Sequence, residues 1–300
     1  MTGWDELVAA GHATRHAELA ALTTYKLGGS ADLLVEAVDM AVLERSAVAL
    51  QSEPLPVLVL GRGSNLLIAD AGFRGVVIRL GASFSEVAVD ADGVVTAGAA
   101  SSLPRLARSA GSAGRGGLEW CVGVPGSVGG AVRQNAGCFG SEVVDVLLDA
   151  EVVALGDGER SVRTPIDLDL AYRHSNLRPG DVVTSARFFT TAVDPVDATA
   201  EMRRITRWRR DNQPGGTLNA GSVFKNPGPE AAGAIIDRLG LKGFAVGKVR
   251  VSPRHANFIE AESGASASDV HTLIATVQAK VLEEAGISLE PEIQFVGFGD

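Results

Sequence analysis

The chain has 300 residues, 46% of them hydrophobic, and carries 36 Asp plus Glu against 27 Lys plus Arg, a formal net charge of −9. That length exceeds one compact core in most folds and predicts one large or two to three smaller domains, and the apolar content excludes a disordered chain. The acidic balance excludes broad electrostatic capture of nucleic acid or of an acidic membrane, and leaves room only for a local basic pocket that takes a small anion.

The N-terminus, MTGWDELVAAGHATRHAELA, has early acidic residues and no basic-then-apolar run, so neither a signal peptide nor an anchor is expected. No apolar stretch approaches the roughly 20 residues of a membrane span. Cys121 and Cys138 lack metal-ligand spacing and read as reduced packing thiols of a cytoplasmic protein. Many of the 36 glycines fall in clusters, as expected where backbone approaches a ligand.

In chain order, a helix is predicted up to about residue 21, then a glycine turn and an apolar strand in "TTYKLGGSADLLVEA", then a helix over 40–51. "LPVLVLG" and "RGVVIRL" read as buried strands, with the loop "GRGSNLLIAD" between them. "EVAVDADGVVTAGA" reads as a hairpin turned by Asp92-Gly93. Leu103, Leu106, Ala107 and Ala110 share helical spacing, with Gly111 as C-cap. A second glycine tract, "GLEWCVGVPGSVGGAVRQNAG", precedes strands over 143–155 and 181–192.

At Asp194 the texture changes to a basic amphipathic helix that ends in Pro-Gly-Gly, and a domain boundary is expected there. A helix over 230–239 closed by Gly240 follows, then strands "FAVGKVRVS" and "ANFIEAE". Ser266 and Asp269 have capping-box spacing before a helix with Val270, Leu273, Ile274, Val277 and Val281 on one face. "LEPEIQFVGFG" is a final strand. The order has no regular βαβ beat, so the fold class is α+β.

Several stretches carry chemistry. Gly61 and Gly63 follow a strand, yet Leu66 occupies the third glycine position of a dinucleotide fingerprint and no long helix follows. What remains is a turn whose backbone N–H groups suit a phosphate, with an ordinary tight turn as the alternative. Gly123, Gly126, Gly129, Gly130 and Gly137 keep backbone accessible, and a helix starting near Ser127 would favour a pyrophosphate; close packing of elements is the alternative. Arg173 in "AYRHS" suits a carboxylate clamp. Alternation places Glu290 and Glu292 on one strand face. Ser222 in "NAGSVFKNP" is by local pattern a turn or capping hydroxyl. His12 and His16, four apart, have no third ligand and read as surface residues; no metal site is expected.

Taken together, "TTYKLGG", "LGRGSNLL", "GLEWCVGVPGSVGGAVRQNAG", "YRHS", "AGSVFKNP", "HANFI" and "LEPEI" resemble, in order and over nearly the whole chain, the UDP-N-acetylenolpyruvoylglucosamine reductase (UDP-N-acetylmuramate dehydrogenase) family. The resemblance implies a vanillyl-alcohol-oxidase-like FAD-binding domain of two subdomains, at 1–80 and 81–194, and a C-terminal α+β substrate domain at 195–287. The strand at 288–300 would pack back on the first subdomain. The short interval between Arg173 and Ser222 points to the class that lacks an extra substrate loop.

The same resemblance implies FAD reduced by NADPH and a hydride passed from flavin N5 to UDP-N-acetylglucosamine enolpyruvate, in peptidoglycan synthesis by a cytoplasmic monomer. Arg173 would stabilise charge developing on the substrate, Glu292 would hydrogen-bond its carboxylate, and Ser222 would protonate its α-carbon. FAD would be lined by Gly61, Arg62, Gly63, Ser64, Asn65 and Leu66, by Gly123, Val124, Pro125, Gly126 and Ser127, by Gly129, Gly130 and Ala131, and by Asn135, Ala136, Gly137 and Val183. The first of these loops holds no His or Cys for flavin attachment, so the cofactor would be non-covalent. Lys225, Asn226, His255 and Asn257 would contact substrate, with Lys225 also placed to polarise Ser222. A flavin oxidase on the same fold is the competing reading, and it would not need an acid at Ser222.

Overall fold

A computed structural model describes residues 2–299. The chain divides into two compact units. The first comprises residues up to Ala17, Asp32–Arg62 and Gly75–Trp208; the second comprises Glu18–Ala31, Gly63–Arg74 and the chain from Arg209 on.

Among the described residues the first unit is built on a four-stranded and a five-stranded sheet, with two small two-stranded ladders beside them. In the first, Ala13–Glu18, Ser30–Ala37, Phe73–Leu80 and Val57–Val59 lie side by side in that order. Ser30–Ala37 alternates strictly between buried and half-buried positions, as a strand with one core face must. Helix Met40–Ser52, N-capped by Asp39, buries Val42, Leu43 and Ala47 with Trp4, Leu33, Val35 and Ile78. The second sheet is antiparallel, ordered Arg160–Arg163, Leu147–Ala154, Asp181–Phe188, Val95–Gly98, Val87–Val89. Leu103, Leu106, Val128, Val132 and Phe188 belong to its core. The expected hairpin is present, with Gly93 at φ +83°.

The second unit carries a three-stranded antiparallel sheet of Ala245–Val246, Val249–Val251 and Ile259–Ala261, and helices Ala232–Arg238 and Ala267–Ala285. Ser266 accepts from Asp269 N at the start of the longer helix, and the five apolar residues predicted on one face are all buried. Asp70 adds to this cap: its carboxylate accepts from Ala267 N at 2.8 Å and Ser268 N at 2.9 Å. Gln294–Val296 pairs in parallel with Leu66–Ile68. Tyr25 is buried in the same core and donates to Ile259 O at 3.1 Å.

Several expectations are corrected. The first helix spans only Gly3–Ala9, because Gly11 at φ +76° ends it and Ala13–Glu18 becomes a strand; His12 and His16 therefore share no helix face. Gly111 is not a C-cap: the helix runs to Ser112, Gly114 supplies the positive φ, and Gly111 packs against Met202 and Ala198. A 3-10 turn, Val143–Asp145, precedes the strand Leu147–Ala154. The helix expected over 230–239 is Ala232–Arg238.

The unit limits also differ from the expected ones at 80, 194 and 287. Helix Pro195–Asn212 buries Ala198, Met202 and Ile205, and Met202 joins the core of Leu103 and Trp120, so the chain passes to the second unit at Trp208/Arg209. No helix among the described residues is long and apolar enough to cross a membrane.

Candidate active site

The two glycine tracts meet within the first unit. Ser127 N-caps the short helix Val128–Arg133, its Oγ accepting from Gly130 N at 3.3 Å. A Cβ on Gly61 would stand 2.5 Å from that same Oγ, so a side chain at 61 would have to turn the Ser127 hydroxyl away from its cap. Arg62 Nε donates to Pro125 O at 3.2 Å, and Leu103 N donates to Gly126 O at 3.1 Å. Gly129 is a packing glycine, its absent Cβ 3.0 Å from Ala99 Cβ and 3.6 Å from Val183 O. Val124 follows the 3-10 turn Glu119–Gly123, and Ala136 N donates to Ala131 O. Ser101 Oγ and Trp120 Nε1, both buried beside this tract, have no hydrogen-bond partner.

Asn135 and Arg173 also come together. Asn135 is fully buried at φ +41°, and Arg173 sits at φ +54°. Asn135 Nδ2 donates to Glu142 Oε2 and to Ala171 O, both at 2.9 Å, and its Oδ1 accepts from Val144 N at 2.8 Å. Arg173 donates to Gly137 O at 3.0 Å and, at 3.4 Å, to Glu142 Oε1 and Asn135 O. Its guanidinium lies over the Tyr172 ring. Arg133, whose burial lowers its pKa against the pull of Asp181, donates to Leu177 O, Arg178 O and Asp181 O and so holds the loop after Arg173.

In the second unit, Gly63 at φ +60° packs where a Cβ would strike Leu22 O, and its own carbonyl accepts from Thr24 N. After Ser64, Asn65 Nδ2 donates to Glu292 O at 2.9 Å, and Leu66 begins the strand that pairs with the C-terminal one. A cavity of about 320 Å³ is lined by Ser222, Asn226, His255 and Asn257, together with Asp237, Lys242 and Arg254. The turn before Ser222 is closed by Asn219, whose Oδ1 accepts from Gly221 N at 3.0 Å.

Asn257 clamps both backbone groups of Phe224, its Oδ1 accepting from N at 2.9 Å and its Nδ2 donating to O at 2.8 Å. Asn226 Oδ1 accepts from Ala232 N at 3.0 Å. His255 Nδ1 accepts from Asn257 N at 3.3 Å; burial, reinforced by Lys242, pushes its pKa below the usual value, so the ring is neutral at pH 7. Lys225 Nζ lies 2.6 Å from Glu290 Oε1, an ion pair with a residue the sequence reading treated separately.

Sequence reasoning missed Glu142, which joins Asn135 to Arg173, and missed Asp237 and Lys242 in the cavity wall. A poorly exposed arginine needs a carboxylate, but among 36 acidic residues nothing local marks which one supplies it.

A UDP-N-acetylenolpyruvoylglucosamine reductase of Erythrobacter litoralis is 42% identical over 288 residues, covering 96% of this chain and 88% of that one. The chain belongs to the UDP-N-acetylenolpyruvoylglucosamine reductase family. The model of that reductase family's C-terminal domain matches residues 213–296, and an FAD binding domain matches residues 31–162. The reductase of Thermus caldophilus has a similar structure, with a TM-score of 0.81 at 37% identity over 93% of this chain and 97% of that one. A berberine bridge enzyme variant, 12% identical with a TM-score of 0.51 over 74% of this chain and 51% of that one, shares the fold alone.

The expected α+β fold, a vanillyl-alcohol-oxidase-like FAD-binding domain followed by the reductase family's C-terminal domain, is thus borne out, and the protein is a flavin-dependent oxidoreductase. The residues present fit FAD. At Gly61 a side chain would displace the Ser127 hydroxyl, and Ser101 Oγ and Trp120 Nε1 are buried polar atoms left unsatisfied beside the tract.

Proposed function

We propose that the protein reduces UDP-N-acetylglucosamine enolpyruvate to UDP-N-acetylmuramate in peptidoglycan precursor synthesis, with NADPH as reductant and non-covalent FAD as carrier. The observation that carries this reading is Ser222 in the wall of a polar cavity of the second unit, with the local turn already closed by Asn219. A serine there has no turn to satisfy and is available for proton transfer.

FAD, held by the glycine tracts around Gly61 and Ser127, would supply the hydride that the β-carbon of the enolpyruvyl group receives. Ser222 then donates its hydroxyl proton to the α-carbon, where carbanion character makes even a weak acid sufficient. Arg173, oriented by Gly137 O and Glu142, stabilises negative charge as it develops on the substrate carboxylate. Glu292 hydrogen-bonds that carboxylate with one of the two protonated. Lys225, paired with Glu290, anchors the serine loop to the segment that carries Glu292 instead of polarising Ser222. Asn257 fixes the same loop through the Phe224 backbone.

Stopped-flow flavin absorbance tests the reading. NADPH should bleach the enzyme-bound flavin under anaerobic conditions, and the enolpyruvyl substrate should then restore the oxidised spectrum with formation of UDP-N-acetylmuramate. Ser222→Ala should slow the second phase and spare the first. Rapid reoxidation by air with none by the enolpyruvyl substrate would instead identify an oxidase.

A further inference from the structure

The first unit exposes two large aromatics side by side. Phe139 and Trp208 are 37% and 42% exposed, and their rings meet edge to face with centroids 5.2 Å apart. Phe139 sits at φ +54°, a conformation that a bulky side chain adopts at a cost and that concentrates where function holds it. Its ring reaches Gly123 of the second glycine tract, where a Cβ would lie 3.5 Å from Phe139 Cε2. Arg204 stacks its guanidinium over the same ring at 5.5 Å while Glu201 neutralises its charge. Arg207, three positions on and exposed, shares that strip of helix Pro195–Asn212 and has no carboxylate partner among the described residues.

We propose that Phe139 and Trp208 stack the adenine of NADPH and that Arg207 binds its 2′-phosphate, which makes this surface the determinant of NADPH over NADH. The proposal rests on the reductase reading of the protein. Exposed aromatic faces hold a base through π contact, and a guanidinium with no internal partner suits a phosphate dianion. Contact of Phe139 with Gly123 joins the surface to the flavin tract, which favours a dinucleotide that must reach the flavin over a protein partner. Arg207 precedes Trp208 in the chain and, like Arg203 one turn back, is exposed on the helix Pro195–Asn212, so the surface beside the aromatics is locally basic on an acidic chain.

Tryptophan fluorescence reads this surface directly, because Trp4 and Trp120 are only 2% and 5% exposed. Titrating the FAD-loaded enzyme with adenosine 2′,5′-bisphosphate should give a saturable change in Trp208 emission. Arg207→Ala should weaken that binding about tenfold, equivalent to about 1.4 kcal/mol, without altering binding of adenosine 5′-diphosphate. In flavin reduction the same variant should raise KM for NADPH about tenfold and leave KM for NADH and both kcat values in place. Phe139→Ala should weaken both nicotinamides together. A flat fluorescence titration, or an NADPH/NADH preference unchanged in Arg207→Ala, overturns the proposal. If neither nicotinamide reduces the wild-type flavin, the reductase reading fails, and the fluorescence titration still decides this site independently.

Discussion

Arg173 and Asn135 both hold left-handed backbone, and the two oxygens of Glu142 divide between them, Oε1 facing Arg173 at 3.4 Å and Oε2 accepting from Asn135 at 2.9 Å. A fully buried amide thereby sets the position of a carboxylate that in turn aims a guanidinium. Glu142 is a positioning residue: nothing in the proposed reaction requires it to touch substrate. Glu142→Gln should lower the rate of flavin reoxidation by the enolpyruvyl substrate about ten- to a hundredfold, as the roughly 1.5–3 kcal/mol of a hydrogen bond to a charged group requires, and leave reduction by NADPH unaltered. Single-turnover measurement of the two half-reactions checks this. An equal loss in both would assign Glu142 a purely structural part.

The Gly61 and Ser127 relationship yields a paired test. In Gly61→Ala the new methyl would stand 2.5 Å from Ser127 Oγ and drive it off Gly130 N. Overpacking of this kind costs about 1–3 kcal/mol, and FAD affinity, read by fluorescence of released flavin, should fall at least tenfold. Ser127→Gly removes the obstructing hydroxyl, and glycine is a tolerable N-cap. The double variant should therefore bind FAD better than Gly61→Ala alone.

Asn257 supplies a stability prediction. Asn257→Ala strips partners from both the N–H and the C=O of Phe224, two buried groups whose loss costs about 1–3 kcal/mol each. The midpoint of urea unfolding should drop clearly. Asn257→Asp keeps an acceptor for the N–H and should fall between wild type and alanine.

Asp70 governs part of the acid limb. Burial pushes its carboxyl up, but the Ser268 hydroxyl and the N–H groups of Ala267 and Ser268 outweigh this and hold it below the ordinary 3.8. A folded-state pKa below the unfolded one means stability that is fully present above about pH 4 and lost as pH falls through the folded value. Asp70→Asn should lower stability at pH 7, where the helix Ala267–Ala285 loses an anion at its N-terminus, and should flatten stability below pH 4. Thermal unfolding across pH 2–7, about the range over which aspartates titrate, decides it.

Much of the second unit was legible in the sequence. The 3.6-residue period of Val270 to Val281 and the Ser266 cap are local signals, and the helix Ala267–Ala285 obeys them. The hairpin turned at Gly93 was equally local. The first helix misled because alanine, histidine and leucine continue beyond Gly11 without an apolar period strong enough to reveal the strand Ala13–Glu18. Membership of Gly63–Arg74 in the second unit rests on pairing with Gln294–Val296, and a partner so distant leaves no mark in the local pattern. At the site, Ser222, Asn226, His255 and Asn257, singled out by their motifs, line one cavity. The Lys225 pairing with Glu290 and the part played by Glu142 depend on tertiary placement alone.

The parallel pairing of Leu66–Ile68 with Gln294–Val296 has a temporal side. A ribosome makes the first strand long before its neighbour, so the second unit stays open until Gln294–Val296 has emerged. The first unit, complete at Trp208, has no such wait. Because contacts of such long sequence separation form slowly, the half that carries Ser222 assembles after the first unit.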